Sequence, residues 1–196
     1  KKRWFQLLLP RTDGYTSSSM ESATRLVLNH DTYDVVVGDL VPSARRSLWP
    51  VTADLKDLHV DDGRGKFVPF LRLLADKLEE GVEIRLIHAK EPGPRFREDF
   101  DRFPQFLESD LFERILCPRM HMKAVIADGN RAYIGSANLT GAGVGAKSDT
   151  RRNFEAGILT DDRTMIGELM EFLDTFYLGD LCQKCGRRDI CPDPIA

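Results

Sequence analysis

A histidine and a lysine separated by one residue open the segment HMKAVIADGNRAYIGSANLT, at positions 121–140. Side chains two positions apart project from the same face of an extended strand, so His121 and Lys123 should lie side by side. The segment then turns at DGNR and returns with Ser136 and Asn138, which are also two positions apart. One hairpin therefore predicts a surface that collects an imidazole, an ammonium, a hydroxyl and a carboxamide.

These four groups suit chemistry at a phosphate ester. Lysine supplies positive charge, while serine and asparagine donate hydrogen bonds to the oxygens on which charge builds up. A histidine can attack phosphorus through one ring nitrogen if the other nitrogen donates its proton to a fixed carboxylate. Strand parity puts Asp128 at the turn, on the face opposite His121, so Glu155 in the segment NFEAGILT is the better candidate. Gly135 allows close approach of backbone or ligand.

The spacing H-x-K-x4-D, followed after six residues by G-S-x-N, resembles the HKD motif of the phospholipase D superfamily. The resemblance implies that His121 is the nucleophile, forming a phosphohistidine, and that Glu155 orients it. It implies a structural role for Asp128. The phosphate would be bound by three further side chains of the motif, Lys123, Ser136 and Asn138. It also implies hydrolysis that needs no cofactor and no metal ion.

Members of this superfamily use two such motifs, whereas this sequence contains one. Displacement at phosphorus puts nucleophile and leaving group on opposite sides, so a second histidine is wanted as general acid for the departing oxygen. A homodimer in which His121 of each protomer faces the same phosphate would supply it, as in the small one-motif nucleases of the superfamily. Alternatively, the other half lies on a missing part of a longer chain with further domains, since the sequence begins with Lys1 rather than methionine.

The distribution of charge along the chain is more informative about possible ligands than the net charge. The 196-residue chain has a formal charge of −3, which alone does not indicate a binder of polyanions. Positions 117–153, however, carry six cations and two anions. We expect three of these cations to meet substrate phosphates at the rim of the site: Lys147, Arg151 and Arg152. The loop that holds Lys147, GAGVGAKS, misses the Walker pattern because Ala146 replaces its second glycine.

Three of the four cysteines lie in the tail segment CQKCGRRDIC. Its C-x2-C spacing suits zinc thiolates better than a disulfide framework in a chain of this length. The predicted ligands of a structural zinc are Cys117, Cys182, Cys185 and Cys191. Two disulfides, or free thiols in a tail, are the alternatives. The histidines outside the motif, His30, His59 and His88, are expected to be structural.

Alternating strands and helices predict the framework that positions the motif. Besides the hairpin, strands are predicted at 4–9, 33–40, 82–88, 111–116 and 153–160. Helices are predicted after a capping box at Ser18 and Glu21, with an apolar face that includes Leu26 and Val27, and at 67–78 and 165–176. A polar connection should run to about Gly65, and a short helix should lie within 91–110.

This order indicates an α/β fold with a mixed, mostly parallel β-sheet flanked by helices on both faces, as in phospholipase D-like proteins. We assign residues 1–178 to the catalytic domain and residues 179–196 to a short Cys-rich tail. No apolar run approaches a membrane span, and the start resembles no signal peptide, which favours a cytoplasmic protein.

The excess of cations around the motif favours a nuclease that acts on nucleic acid as a homodimer. A phospholipase or phosphatidyltransferase acting on membrane lipid headgroups shares every catalytic residue and is the first alternative. A module that binds nucleic acid without cutting it is the second.

Overall fold

The computed structural model describes residues 23–56, 58–62, 64–91 and 93–195. The strand predicted at 4–9 and the capping box at Ser18 and Glu21 lie outside these residues. The described part contains a seven-stranded sheet made of β1 (Thr24–Leu28), β2 (Ser47–Thr52), β5 (Glu83–His88), β6 (Phe112–Leu116), β7 (Ala124–Ala127), β8 (Arg131–Gly135) and β9 (Ala156–Thr160). A separate two-stranded ribbon pairs β3 (His59–Asp61) with β4 (Phe67–Pro69).

The helices are mostly short. A continuous helical segment, residues 31–43, consists of α1 (Asp31–Val35), a π-helical turn (Val36–Leu40) and α2 (Val41–Ser43). The others are α3 (Phe70–Glu79), α4 (Pro94–Phe100), α5 (Gln105–Glu108) and α6 (Arg163–Tyr177). A 3-10 turn, Arg188–Ile190, lies in the tail. Among the described residues, no helix is both long and apolar enough to cross a bilayer.

The strand order in the main sheet is β1-β9-β8-β7-β2-β5-β6. Strand β2 pairs in parallel with β5, and β5 in parallel with β6. The other four neighbouring pairs are antiparallel, because β1 and β9 extend the β7–β8 hairpin on one side and β2 meets it on the other. The predicted α/β fold with a mixed sheet is confirmed, and the antiparallel half is larger than the sequence indicates.

Helices cover both faces of this sheet. The segment 31–43, α3, α4 and α5 pack on one face, where the core includes Leu40, Leu74, Phe100, Ile84 and Tyr133. Helix α6 packs on the other face, where Ile166 and Leu173 meet Trp49, Ile87 and Ile126. Helix α3 overlaps the predicted 67–78 region, starting three residues later and ending one residue later, and Gly81, at a φ of 85°, provides the left-handed residue that follows its end.

Three predictions about secondary structure are wrong. Positions 33–40 are helical rather than a strand, because this short apolar run is buried among the sheet and its neighbours, and a buried helix and a buried strand have the same composition. Leu26 and Val27 lie in strand β1, paired with β9, instead of a helix. The polar connection before Gly65 contains β2, which is buried throughout and central in the sheet. Pro50 lies within β2, and because proline cannot donate a ladder hydrogen bond, its presence in the sequence argues against a central strand.

Candidate active site

The first strand of the motif hairpin begins at Ala124, three residues later than predicted, so His121 and Lys123 lie just before β7. The carbonyl of Lys123 still accepts the N–H of Gly135 at 3.0 Å, so the ladder continues beyond the strand. At the other end, Asp128 and Gly129 both have positive φ, 54° and 64°, which suits a tight hairpin turn with a right-handed strand twist. The hairpin therefore fixes the backbone of Lys123 directly opposite Gly135.

Lys123 and His121 are in direct contact. The Lys123 Nζ donates to the backbone carbonyl of His121 at 2.8 Å, and it lies 3.2 Å from Nδ1 and 3.4 Å from Nε2 of the same residue. The lysine side chain is buried, with 9% of the residue exposed, whereas His121 is exposed. This arrangement presents an accessible imidazole beside a fixed ammonium group.

Ser136 and Glu155 form a second cluster across the β8–β9 pair. The Ser136 hydroxyl donates to Glu155 Oε2, and Asn153 Nδ2 donates to Oε1 at 3.0 Å. The backbone of Glu155 is held as well, because its N–H donates to Asn29 Oδ1 at 3.1 Å and its carbonyl accepts from Asn29 N at 2.9 Å. Both carboxylate oxygens are thus used, and in the described part of the chain no hydrogen bond joins Glu155 to His121.

Asn138 is held by the end of strand β2. Its Oδ1 accepts from the backbone N–H of Asp54 at 3.0 Å and lies 3.2 Å from Thr52 Oγ1. The same Thr52 oxygen accepts the N–H of Leu139 at 3.1 Å. Because the carboxamide oxygen is occupied, the amide N–H groups are the end of Asn138 that remains to donate to a substrate.

Sequence reasoning missed the residues that hold these side chains. Thr52 and Asp54 follow a strand that was not recognised, and Asn29 and Asn153 belong to no motif. The available signal was the position of Asn153 two residues before Glu155, which places both side chains on one side of an extended segment.

Asp128 lies at the hairpin turn, as expected from strand parity. Its carboxylate accepts backbone N–H groups from Arg45, Arg46 and Ser47 at 2.7–3.1 Å. These hydrogen bonds fix the backbone where the chain enters β2, so Asp128 stabilises the framework of the site.

Gly135 faces protein rather than open space. A Cβ there would lie 2.7 Å from the ring carbon Cζ of Tyr133 and 2.8 Å from the carbonyl oxygen of Ala156. Gly157, its partner in the β8–β9 pair, meets the same tyrosine ring. Close approach is therefore required by the tyrosine packed beneath the strand pair, and burial raises the pKa of that tyrosine.

The three predicted rim cations lie in the irregular loop that follows Asn138. Arg152 is paired with Asp149 at 2.8 Å, and Arg151 Nε donates to Ser148 Oγ at 3.3 Å. Lys147 closes the loop through its backbone N–H, which donates to the carbonyl of Gly141 at 3.0 Å. Within the described residues no contact joins them to His121, so their substrate role stays a prediction.

A groove runs past the exposed side of His121. One part, of about 410 Å³, is lined by Arg119, Met120, His121, Met122, Phe172, Phe176 and Leu181. An adjoining part, of about 370 Å³, shares three of these residues and adds Pro118 and Arg187. Helix α6 and the Cys-rich tail thus form walls of the groove, which the sequence did not indicate because Phe172 and Phe176 read as core residues.

The four cysteines surround a separate cavity beneath the tail, and their thiols are free. Arg119 Nη1 donates to Cys185 Sγ at 3.8 Å, and the Cys191 thiol donates to the carbonyl of Leu116, also at 3.8 Å. Burial raises the pKa of the Cys117 thiol, and the other three thiols add to this effect. No group of three or more His, Cys, Asp or Glu within the described ranges is arranged to hold a metal ion, so the zinc site gains no support from this geometry.

A mixed α/β sheet with a His-x-Lys hairpin beside Ser, Asn and Glu is a phospholipase D-like arrangement. Residues 42–176 match the family model described as "Cardiolipin synthase, PLD-like domain". The chain belongs to this family, which confirms the resemblance to the phospholipase D superfamily. No curated protein sequence gives a significant match.

Solved structures with the same fold include NucT from Helicobacter pylori, with a TM-score of 0.57 and 16% identity, covering 79% of this chain and 95% of that one. The phospholipase D family member Nuc from Salmonella typhimurium has a TM-score of 0.55 and 15% identity, with coverage of 78% and 91%. Phosphatidylserine synthase from Haemophilus influenzae Rd KW20 has a TM-score of 0.58 and 14% identity, but 38% of its chain is covered. At these identities the likeness establishes the fold.

Proposed function

We propose that this protein is a nuclease that cleaves phosphodiester bonds through a phosphohistidine on His121, without a catalytic metal ion. The observation that carries the proposal is the buried ammonium of Lys123 within 3.2 Å of an exposed His121 ring nitrogen. A neutral imidazole is the nucleophilic form, and the fixed positive charge beside it attracts a phosphate and stabilises the charge of the transition state.

The reaction takes two displacements at phosphorus. In the first, a His121 ring nitrogen forms a bond to phosphorus, the bond to the leaving oxygen breaks, and a general acid protonates that oxygen. In the second, water attacks phosphorus, the N–P bond breaks, and the same group takes the proton from the water. Lys123, Ser136 and the amide of Asn138 supply the donors for the non-bridging oxygens.

The general acid in this scheme is His121 of a second copy, which makes the protein a homodimer. The position of Glu155 supports this view, because its carboxylate is held by Ser136 and Asn153 and makes no hydrogen bond to its own His121 among the described residues. We place Glu155 against the His121 of the other copy, where it would fix the tautomer of that imidazole. The two copies would then complete each other's sites.

Replacement of the nucleophile tests the proposal. His121→Asn should lose nearly all cleavage of single-stranded DNA, and activity of the unaltered protein should persist in EDTA. Acid quenching followed by mass spectrometry should detect phosphohistidine at position 121. Cleavage that requires an added divalent metal would contradict the mechanism. Binding of nucleic acid that never leads to cleavage would identify a binding module instead.

Lipid is the second candidate substrate, and the apolar side chains of Met122, Phe172 and Leu181 in the groove are the observation that favours it. Duplex DNA, single-stranded DNA, RNA and phosphatidylcholine vesicles should be compared under one set of conditions. We expect turnover of nucleic acid. Release of headgroup from vesicles with intact oligonucleotides would assign the protein to lipid chemistry.

We also propose that residues 1–178 form the catalytic domain and that the tail, residues 179–196, holds a structural zinc ion through its three cysteines and Cys117. The proposal rests on the C-x2-C spacing of the tail; the four thiols line one cavity and form no disulfide, but they are not arranged as a ligand set. Elemental analysis of purified protein should give one zinc per chain, lost in Cys182→Ser/Cys185→Ser. Protein that folds fully without zinc would exclude this role.

A further inference from the structure

The groove beside His121 carries two cations that its own chain does not neutralise. Arg119 and Arg187 are both exposed, and neither has a carboxylate within ion-pair distance in the described part of the protein. Their contacts are neutral: Arg119 donates to Cys185 Sγ at 3.8 Å, and Arg187 donates to the carbonyl of Pro118 at 3.0 Å. Both residues line the groove, and these bonds leave further N–H donors of each guanidinium group unused.

Several other arginines on the described surface are neutralised by a carboxylate. Arg72 is paired with Asp76 at 2.7 Å, Arg97 with Glu91 at 2.8 Å and Arg131 with Asp39 at 2.5 Å. A chain with a formal charge of −3 thus leaves positive charge unpaired next to its candidate nucleophile. The ligand of this groove should therefore be an anion.

The number of phosphates decides the class of ligand. The scissile phosphate is already served by Lys123, Ser136 and Asn138, so Arg119 and Arg187 need an additional anion. A phosphatidylcholine molecule has one phosphate, whereas each step along a polynucleotide adds another. The groove also offers an aromatic surface, because Phe172 on α6 is 47% exposed and lines the same space. Base stacking on an aromatic ring is the usual companion of phosphate contacts in proteins that bind single strands.

We propose that Arg119, Arg187 and Phe172 form a subsite for the nucleotide next to the scissile bond, with the arginines on its phosphate and the phenylalanine on its base. This inference rests on the proposed function for its choice of substrate. Arg187 lies in the tail, outside the residues that match the family model. The tail therefore adds a strand-binding element to a phospholipase D-like site.

The test compares a single-stranded DNA oligonucleotide with bis(p-nitrophenyl) phosphate, a diester that has no neighbouring phosphate. In the variant Arg119→Gln/Arg187→Gln, kcat/KM for the oligonucleotide should fall about 30-fold more than kcat/KM for the small diester, as expected for two lost charge-assisted contacts. Phe172→Ala should shift the same ratio in the same direction, and Phe172→Tyr should restore it. Arg72→Gln, on the helix that covers the other face of the sheet, is the matched control and should leave the ratio unchanged.

Binding is measured separately in the His121→Asn background by fluorescence anisotropy of the labelled oligonucleotide. Adding Arg119→Gln/Arg187→Gln should weaken binding and reduce the slope of log K against log salt by about 0.7, the value for one neutralised phosphate on a single strand. Thermal melting of each variant controls for damage to the tail.

The outcomes separate the two proposals. If the protein cleaves oligonucleotides and the arginine variant changes neither the ratio nor the salt slope, the subsite is overturned and the nuclease proposal stands. If nothing is cleaved but binding depends on the arginines, the subsite stands and the nuclease proposal fails. Equal losses on both substrates, or a selective loss on phosphatidylcholine vesicles, would overturn the subsite.

Discussion

The Nζ atom of Lys123 lies 2.8 Å from the carbonyl oxygen of His121 and within 3.4 Å of both nitrogens of its ring. The carbonyl holds the ammonium in place beside the imidazole. The two groups are thus positioned together before any substrate binds.

Replacing Lys123 by methionine should lower kcat by about 10²–10³-fold, the usual cost of losing one transition-state donor. Lys123→Arg keeps the charge and is the control, and it should lose less activity. An unchanged kcat in Lys123→Met would show that the ammonium takes no part in the reaction.

Ser136→Ala should release one oxygen of Glu155 and reduce kcat more than it raises KM, since the serine proton that holds the carboxylate here is the one that would turn to the phosphate when substrate binds. Asn153→Ala removes the other anchor of the same carboxylate without touching the phosphate site. It should therefore cause a smaller loss. Steady-state kinetics on a small diester gives both values, and a larger loss in Asn153→Ala would reverse this assignment.

Thr52 links strand β2 to the phosphate-binding amide. Thr52→Val removes the oxygen that accepts the N–H of Leu139 and contacts Asn138, and it should cost about 1–3 kcal/mol of unfolding free energy because a buried donor loses its acceptor. Activity should fall as Asn138 loses its orientation. Thr52→Ser keeps the hydroxyl and should recover most of the stability and most of the activity. Urea unfolding and steady-state kinetics measure the two effects. A valine variant with native stability would show that water replaces the lost acceptor.

The parts of the site that could be predicted are those within one hairpin. Strand periodicity and turn residues brought His121 beside Lys123 from local rules alone, and helical spacing located α3 and α6. The strand predicted at 33–40 is wrong because its apolar run, residues 35–37, is too short to distinguish a buried strand from a buried helical turn. The separation of Glu155 from His121, and the groove made by Phe172 and Arg187, depend on tertiary packing between distant segments. No local pattern encodes such distances.

Arg85 connects strand β5 to helix α6 across a buried interface. Its Nη1 donates to Asp174 Oδ1 at 2.8 Å, and its guanidinium carbon lies 4.7 Å from the Trp49 ring centroid and 4.6 Å from that of Tyr177. Asp174→Ala should cost about 1.5–3 kcal/mol, because the buried guanidinium loses one charged hydrogen-bond acceptor but keeps Glu83 and Glu113 within 3.4 Å of Nε. Chemical denaturation measures the loss. Exposed Asp76→Ala on α3 breaks a surface pair and should cost less than about 1 kcal/mol.

His88 should make the stability of the fold depend on pH. Burial is the main cause that lowers its pKa from 6.5 to about 4, and the charge of Arg114 adds to the effect. The contacts agree with a neutral ring: Nδ1 lies 2.8 Å from the carbonyl of Lys90, and Nε2 accepts from Arg114 Nε at 2.8 Å. Between pH 6.5 and 4 the unfolded chain binds a proton at this residue and the native protein does not. The stabilising contribution is therefore complete above pH 6.5 and is lost as the pH falls toward 4.

The size of this loss follows from the shift, and it amounts to about 3 kcal/mol. Urea unfolding of the unaltered protein and of His88→Gln, measured across this pH range, isolates it from the other titrating groups, because the glutamine cannot take up a proton. The difference in unfolding free energy between the two proteins should shrink as the pH is lowered. If the unfolding free energies of the two proteins change with pH in parallel, His88 titrates normally, and the hydrogen bond from Arg114 to its neutral ring is not maintained in solution.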